Sequence, residues 1–503
     1  MFVTKITRKI MAKVRHQRQA VTHKGLNRRL EDGRFEEVTD YRARRGTRVD
    51  LATILRLVVM GILSGAKALR DLEAMSNAIA ATNDSQVVTL EERISDNAFA
   101  SAVMMASPMD VRGVLTRMVL AEYDRQRLLP SVLPWYSVAI DGKYLSTLQR
   151  HDLVRLTKKI RKKATRERVA ERGPDAEPTE EEARWIAGDW EPSEKEIEVC
   201  FEVHFPTVKL VLVPDGVTWA WGTTCLLRST MISSDAAVCV AQAAVPGSTN
   251  EAGHIITALT ELYRAYGHTK MLRLITFDAG ITSTKSTQFV HDMGSYYFGT
   301  IKGNHGEKFR EAQRLLAHSK CVAHEEEDSR EGNKVLHECY VVSMAGGYDG
   351  WEHLEQFVRV HRTVTSKKTG GIISEGDRYF ATSIPFGELT AKQLLFISRC
   401  HWRCEEEGHW TSDACLKEDS RRPVFSRHPR AMISWAFLHM IAQNILAIMR
   451  ALSRYRDKLK GPLIKPSWRR IIWHFMSLLF DMTLDTTEFD RVDMKLVSKP
   501  SSS

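Results

Sequence analysis

At 503 residues, 43% hydrophobic and 27% charged, the chain has a globular composition and enough length for roughly two to four domain-sized units around a large core. Its net charge of +10 favours a polyanionic partner and says nothing about fold. Eight cysteines without a paired framework exclude a disulfide-stapled scaffold and point to a reducing compartment.

The first 48 residues are basic, with nine Lys/Arg and no acid in 1–30. They lack the apolar run of a secretory signal and read as a phosphate-contacting arm or as a solvated tail. A helical domain is expected over 49–130. Asp50 is a candidate N-cap, and Leu51, Ile54, Leu55, Val58, Val59 and Ile62 recur at three and four. Gly61, Ser64 and Gly65 interrupt that run, and 66–79, 96–104 and 110–126 carry further helices. The first two suit a DNA-binding helical unit or ordinary helix packing. Residues 129–134 form a linker.

Residues 135–143 are an aromatic and β-branched strand expected to end at Asp141-Gly142. Asp141 then lies where α/β sheets gather ligand groups, although a turn aspartate before glycine looks the same. A charged insertion spans 151–196. Lys158, Lys159, Arg161, Lys162 and Lys163 lie on a basic helix over 153–172, and an acidic, Pro-containing tether follows. It reads as a DNA-backbone contact masked in the free protein or as a solvated insertion. Strands are expected at 199–204, 208–213, 223–232 and 236–244, then a helix over 250–266. The nearly continuous apolar run 271–277 suits a strand buried on both faces, and it ends at Asp278. A helix over 284–293 and a strand over 296–301 lead to the turn Lys302-Gly303-Asn304. The order implies a mixed α/β sheet, the first part of a core over 131–310.

Residues 311–385 are β-biased and read as an insertion. The second part of the core, 386–455, holds the stretch 399–410, with Arg399, His401-Trp402, three consecutive glutamates from Glu405, and His409-Trp410. On a packed helix the glutamates fan over about 200°, so at least one is expected to face inward, where an unpaired carboxylate is costly. Residues 456–503 carry a C-terminal helix and tail. The apolar stretches 51–68, 431–452 and 471–484 each include polar or charged residues, and none is expected to span a membrane.

Asp141, Asp278 and Glu405 are the candidate catalytic and metal-binding set. At ~4–5 Å and an effective dielectric of about 20, each pair repels by about 3–4 kcal/mol. One or two Mg²⁺ or Mn²⁺ ions would relieve this and suit phosphodiester chemistry. Lys143, Lys302, Asn304 and Arg399 are candidate phosphate or DNA contacts. Trp402 and His409, at −3 and +4 from Glu405, are candidates to position DNA or support the carboxylate.

These residues resemble the DDE transposases of bacterial insertion sequences, most closely the H-repeat-associated group. The resemblance rests on Ala139-Ile140-Asp141-Gly142-Lys143, Ser248-Thr249-Asn250-Glu251, Asp278-Ala279, Lys302-Gly303-Asn304, and His401-Trp402, Glu405, His409-Trp410, Asp413, Glu418-Asp419 and Arg422. It departs at Cys404, Glu406, Gly408 and His305, where the group has other residues, and in the length of the charged insertion. It implies an RNase H-like mixed-sheet core interrupted by a β-rich insertion, with Asp141, Asp278 and Glu405 holding two metal ions. It implies DNA cleavage and strand transfer, element ends and target DNA as partners, a homo-oligomer on DNA, and a bacterial cytoplasmic, nucleoid-associated location without membrane contact. It assigns DNA-end binding to the helical domain. A transposase-derived DNA-binding protein without cleavage activity and an RNase H-fold DNA nuclease are the alternatives.

Overall fold

A computed structural model describes residues 24–42, 47–82, 90–329, 332–344, 346–348, 350–416, 418, 429–456, 463–479 and 494–496. The elements begin with α1 (24–32), α2 (Leu51–Leu63), α3 (Leu69–Thr82), α4 (Asp96–Met105) and α5 (Pro108–Asp124). Asp50, Ser95 and Ser107 cap α2, α4 and α5, each accepting a backbone N–H three residues on. The basic arm expected over 1–48 is not an arm from residue 24 onward. Leu26, Leu30, Phe35 and Val38 are buried with the helices, because they recur on one side of an otherwise cationic segment. The earlier part of that arm lies outside the described residues.

Next come β1 (Ser137–Gln149), α6 (Arg150–Glu171), α7 (Glu180–Ala187), α8 (Glu194–His204), β2 (Lys209–Leu212), β3 (Trp219–Met231), β4 (Cys239–Val245), α9 (Glu251–Tyr266), β5 (Leu274–Phe277), α10 (Thr284–Asp292) and β6 (Tyr296–Ile301). Two expectations are corrected. The strand expected at 199–204 is helical. Ser193 and Glu196 close a capping box, and Ile197, Cys200 and Phe201 bury at helical spacing against Leu153 and Leu156. Val199 and Val203, which gave the segment its β-branched look, stay exposed. The strand expected to stop at Asp141-Gly142 runs on to Gln149, still paired with β3. At Gly142 a Cβ would lie 2.4 Å from Glu251 Oε1, so Glu251 would have to swing away to admit one.

The chain continues with α11 (Glu307–Leu316), β7 (Cys321–Asp328), β8 (Lys334–Ser343), β9 (Gln356–Thr365), β10 (Ile372–Thr382), α12 (Ala391–Cys400), a π turn (Cys404–His409), α13 (Trp410–Ala414), α14 (Pro429–Leu452), β11 (Ser453–Arg456), β12 (Leu463–Ile464), α15 (Trp468–Leu479) and β13 (Met494–Leu496). Ten strands form one mixed sheet in the order β2-β3-β1-β5-β6-β10-β9-β8-β7, with β4 also on β3. Only β1/β5 and β5/β6 are parallel. The β-rich segment therefore extends the central sheet, because β10 pairs with β6.

Helices cover both faces of the central strands. Val138, Ile140, Ile275 and Phe277 share a core with α2–α5, α9 and α14. Leu274, Phe298 and Phe380 pack on Leu394, Leu395 and Ile397 of α12. All four β5 residues are buried, which explains their unbroken apolar character. Helix Ala431–Leu452 is long and apolar enough to cross a membrane by length and composition, which differs from the expectation for that stretch. In the fold it is buried among the other helices. Its Asn444 both donates to Cys239 O at 2.7 Å and accepts from Cys239 N at 2.8 Å, so both ends of its amide are hydrogen-bonded inside the core.

Candidate active site

The parallel register of β1 and β5 ends with Ile140 opposite Phe277. Asp141 and Asp278 are the next residue on each strand, so they stand side by side where the parallel pair ends. This is the switch point of the sheet, because β1 turns to an antiparallel partner on its other side. Asp141 is largely buried (18% side-chain exposure), whereas Asp278 is 41% exposed. Asp141 Oδ1 accepts the Gly142 N–H at 2.8 Å.

Glu405 arrives from the other layer. Helix α12 packs on the sheet face that Ala139 and Thr276 share, and its end is pinned there. His401 Nδ1 and Thr276 Oγ1 share a hydrogen bond of 2.8 Å, and Cys400 and Cys404 bury against Ala139 and Ile232. Cys404 Sγ donates to His401 O at 2.8 Å and lies 3.9 Å from Asp141 Oδ2. Glu405 is the next residue.

The chain here is a π turn, not the regular helix expected. A π turn leaves the α-helical carbonyl ladder out of step. Gln443 of α14 takes up the slack, donating to Glu407 O at 2.9 Å and Gly408 O at 3.1 Å. This changes which glutamate faces inward. Glu407 is the partly buried one, paired with Arg403 at 3.2 Å and Arg450 at 4.0 Å. Those cations outweigh burial and hold its carboxyl below the ordinary value. Glu405 and Glu406 are exposed at the sheet edge.

The electrostatics are those of a crowded acidic cluster. Burial pushes the Asp141 carboxyl up to about 7, against the Gly142 N–H, with Glu405, Asp278 and Glu251 adding to the rise. Partial desolvation and Asp278 raise Glu405, while Arg378 and Lys302 oppose the shift. His409 supplies no counter-charge. Its Nδ1 is 3.6 Å from Asp141 Oδ2, but burial, helped by Arg228 and Lys143, lowers it to about 3. Beneath Asp141, its cross-strand partner Arg228 is 1% exposed and forked onto Glu418.

All the donors at this edge are carboxylate oxygens, which suit a hard divalent cation. Among the described residues, no three His, Cys, Asp or Glu side chains stand as placed around a single metal position. Asp278 and Glu405 are exposed enough to reorient toward Asp141. The chemistry of the donor set and the uncompensated charge at Asp141 fit such an ion.

The other candidates divide. Lys302 Nζ is 4.0 Å from Asp278 Oδ1. Asn304 Nδ2 donates to Ala279 O at 3.0 Å, fixing the Lys-Gly-Asn turn beside Asp278. Trp402 lies under the Arg378 guanidinium, 4.4 Å from its ring centroid. Lys143 is not a free phosphate contact, being 9% exposed and paired with Asp413. Arg399 ties α12 to β7 through Glu325 and Glu327. His409 is largely buried, with 12% of its side chain exposed, and lies against Asp141. On the charged insertion, Lys158 is 2.6 Å from Glu191 and Arg161 is 2.8 Å from Glu196. Arg161 also stacks between Trp185 and Trp190. Lys159 and Lys162 have no carboxylate at ion-pair distance among the described residues, and Lys163 faces only Glu167 at 3.7 Å.

Three contributors escape a reading of local sequence. Glu251 stands in the Asn250-Glu251 motif, yet nothing local shows that it reaches Gly142 from the start of α9. Arg378 is brought to the edge by strand pairing alone, and Gln443 by the packing of α14. Comparison with protein-family models and with curated proteins finds no match for the chain.

Proposed function

We propose that the chain is a DDE transposase, cutting DNA and joining strands at a metal-dependent RNase H-like core. One observation carries this reading. Asp141 and Asp278 are successive-strand neighbours at the switch point of the sheet, and the turn bearing Glu405 is docked against Asp141 through Cys404. A mixed sheet with a parallel centre and antiparallel flanks is the framework an RNase H-like core requires. Asp141, Asp278 and Glu405 would hold Mg²⁺ or Mn²⁺, and such ions supply activation of the attacking oxygen and neutralisation of the leaving one. The chain's own residues do the rest. Asp141 is held rigidly by Gly142, Cys404 and the strand. Glu405 and Asp278 keep the freedom to adjust to a bound cation. Lys302, at the rim, offsets phosphate charge.

The test is incubation of the protein with the DNA ends of its own element and Mg²⁺, comparing wild type with Asp141→Asn and Glu405→Gln. The reading requires cleavage and joining by wild type, with both lost in the variants. Binding without cleavage by wild type would replace it with a DNA-binding protein, and cleavage without joining would replace it with a nuclease.

A further inference from the structure

The sheet register extends the site beyond its acids. Tyr379 of β10 pairs with Ile301 of β6, so the next residues outward, Arg378 and Lys302, flank each other at the rim above Asp278. Arg378 lies on the face that carries Phe380 and is covered by α12, as its partner Val360 does. Two residues beyond Val360 on β9, Arg362 lies on the same face. The Arg378 guanidinium is 4.4 Å from the centroid of the Trp402 ring, and Trp402 O accepts the Glu405 N–H at 3.1 Å. Trp402 therefore steadies the cation with its indole and holds the turn bearing the third carboxylate with its backbone carbonyl.

Neither Arg378 nor Arg362 has a carboxylate at ion-pair distance among the described residues. Arg399, on α12 over the same face, does, through Glu325 and Glu327. Burial lowers the Arg378 guanidinium, and Arg362 stands close enough for its charge to add to that lowering. Two adjacent, unpaired guanidiniums, one immobilised on an aromatic face, form a fork-shaped donor array for phosphate oxygens.

We infer that Arg378, braced on Trp402 and seconded by Arg362 and Lys302, is a phosphate-binding residue that grips the DNA backbone beside the carboxylate edge. The ligand class is a nucleic-acid phosphodiester. The β-rich segment then has a role in the site itself, since its fourth strand carries the gripping cation. The inference rests on the nucleic-acid reading above and reaches past it to a residue outside the acidic set.

The experiment is fluorescence anisotropy of the full chain with a short labelled DNA duplex of arbitrary sequence in EDTA, over a range of salt. Arg378→Gln is expected to weaken binding roughly tenfold and to lower the slope of log affinity against log salt by about 1. Arg378→Lys keeps the slope and recovers only part of the affinity, because it keeps the charge without the planar fork. Lys334→Gln, on β8 and already paired with Glu326 at 2.8 Å, matches wild type. An Arg378→Gln variant with wild-type affinity and slope overturns the inference. So does a Lys334→Gln variant as impaired as Arg378→Gln, since that would be bulk charge alone. Cleavage in Mg²⁺ separates this inference from the reading it rests on. If wild type does not cut while the Arg378→Gln binding defect stands, the transposase reading fails and the phosphate grip survives. If wild type cuts and Arg378→Gln binds and cuts equally well, the grip fails and the reading survives.

Discussion

The carboxylate edge and the charged helical arm, α6 to α8, manage charge in opposite ways. Along the arm the acids fold back onto the basic helix. Arg150 meets Glu194, Lys158 meets Glu191, Arg161 meets Glu196 and Arg172 meets Glu182. At the edge, Asp141 is raised first by burial, and the charges of Glu405, Asp278 and Glu251 add to the rise. Such repulsion between acids costs stability in a protein that holds no cation there. A region that settles its own charges serves architecture. One that leaves them unsettled has the electrostatic pattern common at functional sites.

The largest effect should come from removing the edge. Asp141→Asn, Asp278→Asn and Glu405→Gln should each lower DNA cleavage on the order of 10²–10³-fold or more, read by end-labelled substrate on a denaturing gel. If one of them cuts like wild type, that acid does not belong to the set.

The cost of crowding should be visible in the metal-free protein. The folded Asp141 carboxyl, at about 7, lies above its unfolded value of about 4. Its contribution to stability is fully present below pH ~4 and is lost as pH rises through ~7. Melting curves in EDTA should therefore show Asp141→Asn more stable than wild type at pH 8, by on the order of 2–4 °C, and level with it at pH 4. A variant less stable at pH 8 would mean that the crowding carries no penalty.

On the arm, Glu191→Gln with Glu196→Gln should unmask Lys158 and Arg161 and steepen the salt dependence of DNA binding by up to about 2. Conversely, Lys159→Gln, Lys162→Gln and Arg166→Gln together should flatten it by up to about 3. These three recur at helical spacing along α6 and carry no ion pair among the described residues. Unchanged slopes in both variants would make the whole arm a solvated surface. The smallest effect is expected for Glu407→Gln. It loses a partly exposed pair with Arg403 and should destabilise by about 1 kcal/mol or less, measured by denaturant unfolding.

The strand-borne part of this arrangement was legible because it is local. The apolar run 271–277 and the alternation before Asp141 follow directly from burial on a sheet; the first puts Asp278 at its strand end as expected, whereas β1 runs on past Asp141 to Gln149. The helix-borne part was less so. Three glutamates in a row fix no orientation, and the choice between Glu405 and Glu407 turns on a π turn whose carbonyls are satisfied by Gln443, some forty residues later in the chain. Val199 and Val203 misled in the same way, since β-branching marks a strand only when its neighbours do not bury at helical spacing. Arg378 was invisible because its place depends on which strand β10 joins.

The Gln443 contact gives the three acids unequal foundations. Asp141 and Asp278 are carried by the deepest strands of the sheet, so they keep their spacing as long as the sheet exists. Glu405 hangs from a turn whose backbone is completed by α14, and α14 shares its core with α2–α5. Whatever seats or loosens the helical layer thus sets the reach of the third acid, while the first two stay where the strands put them. On gradual warming or mild denaturant, the chemistry of the site should fade before the sheet gives way.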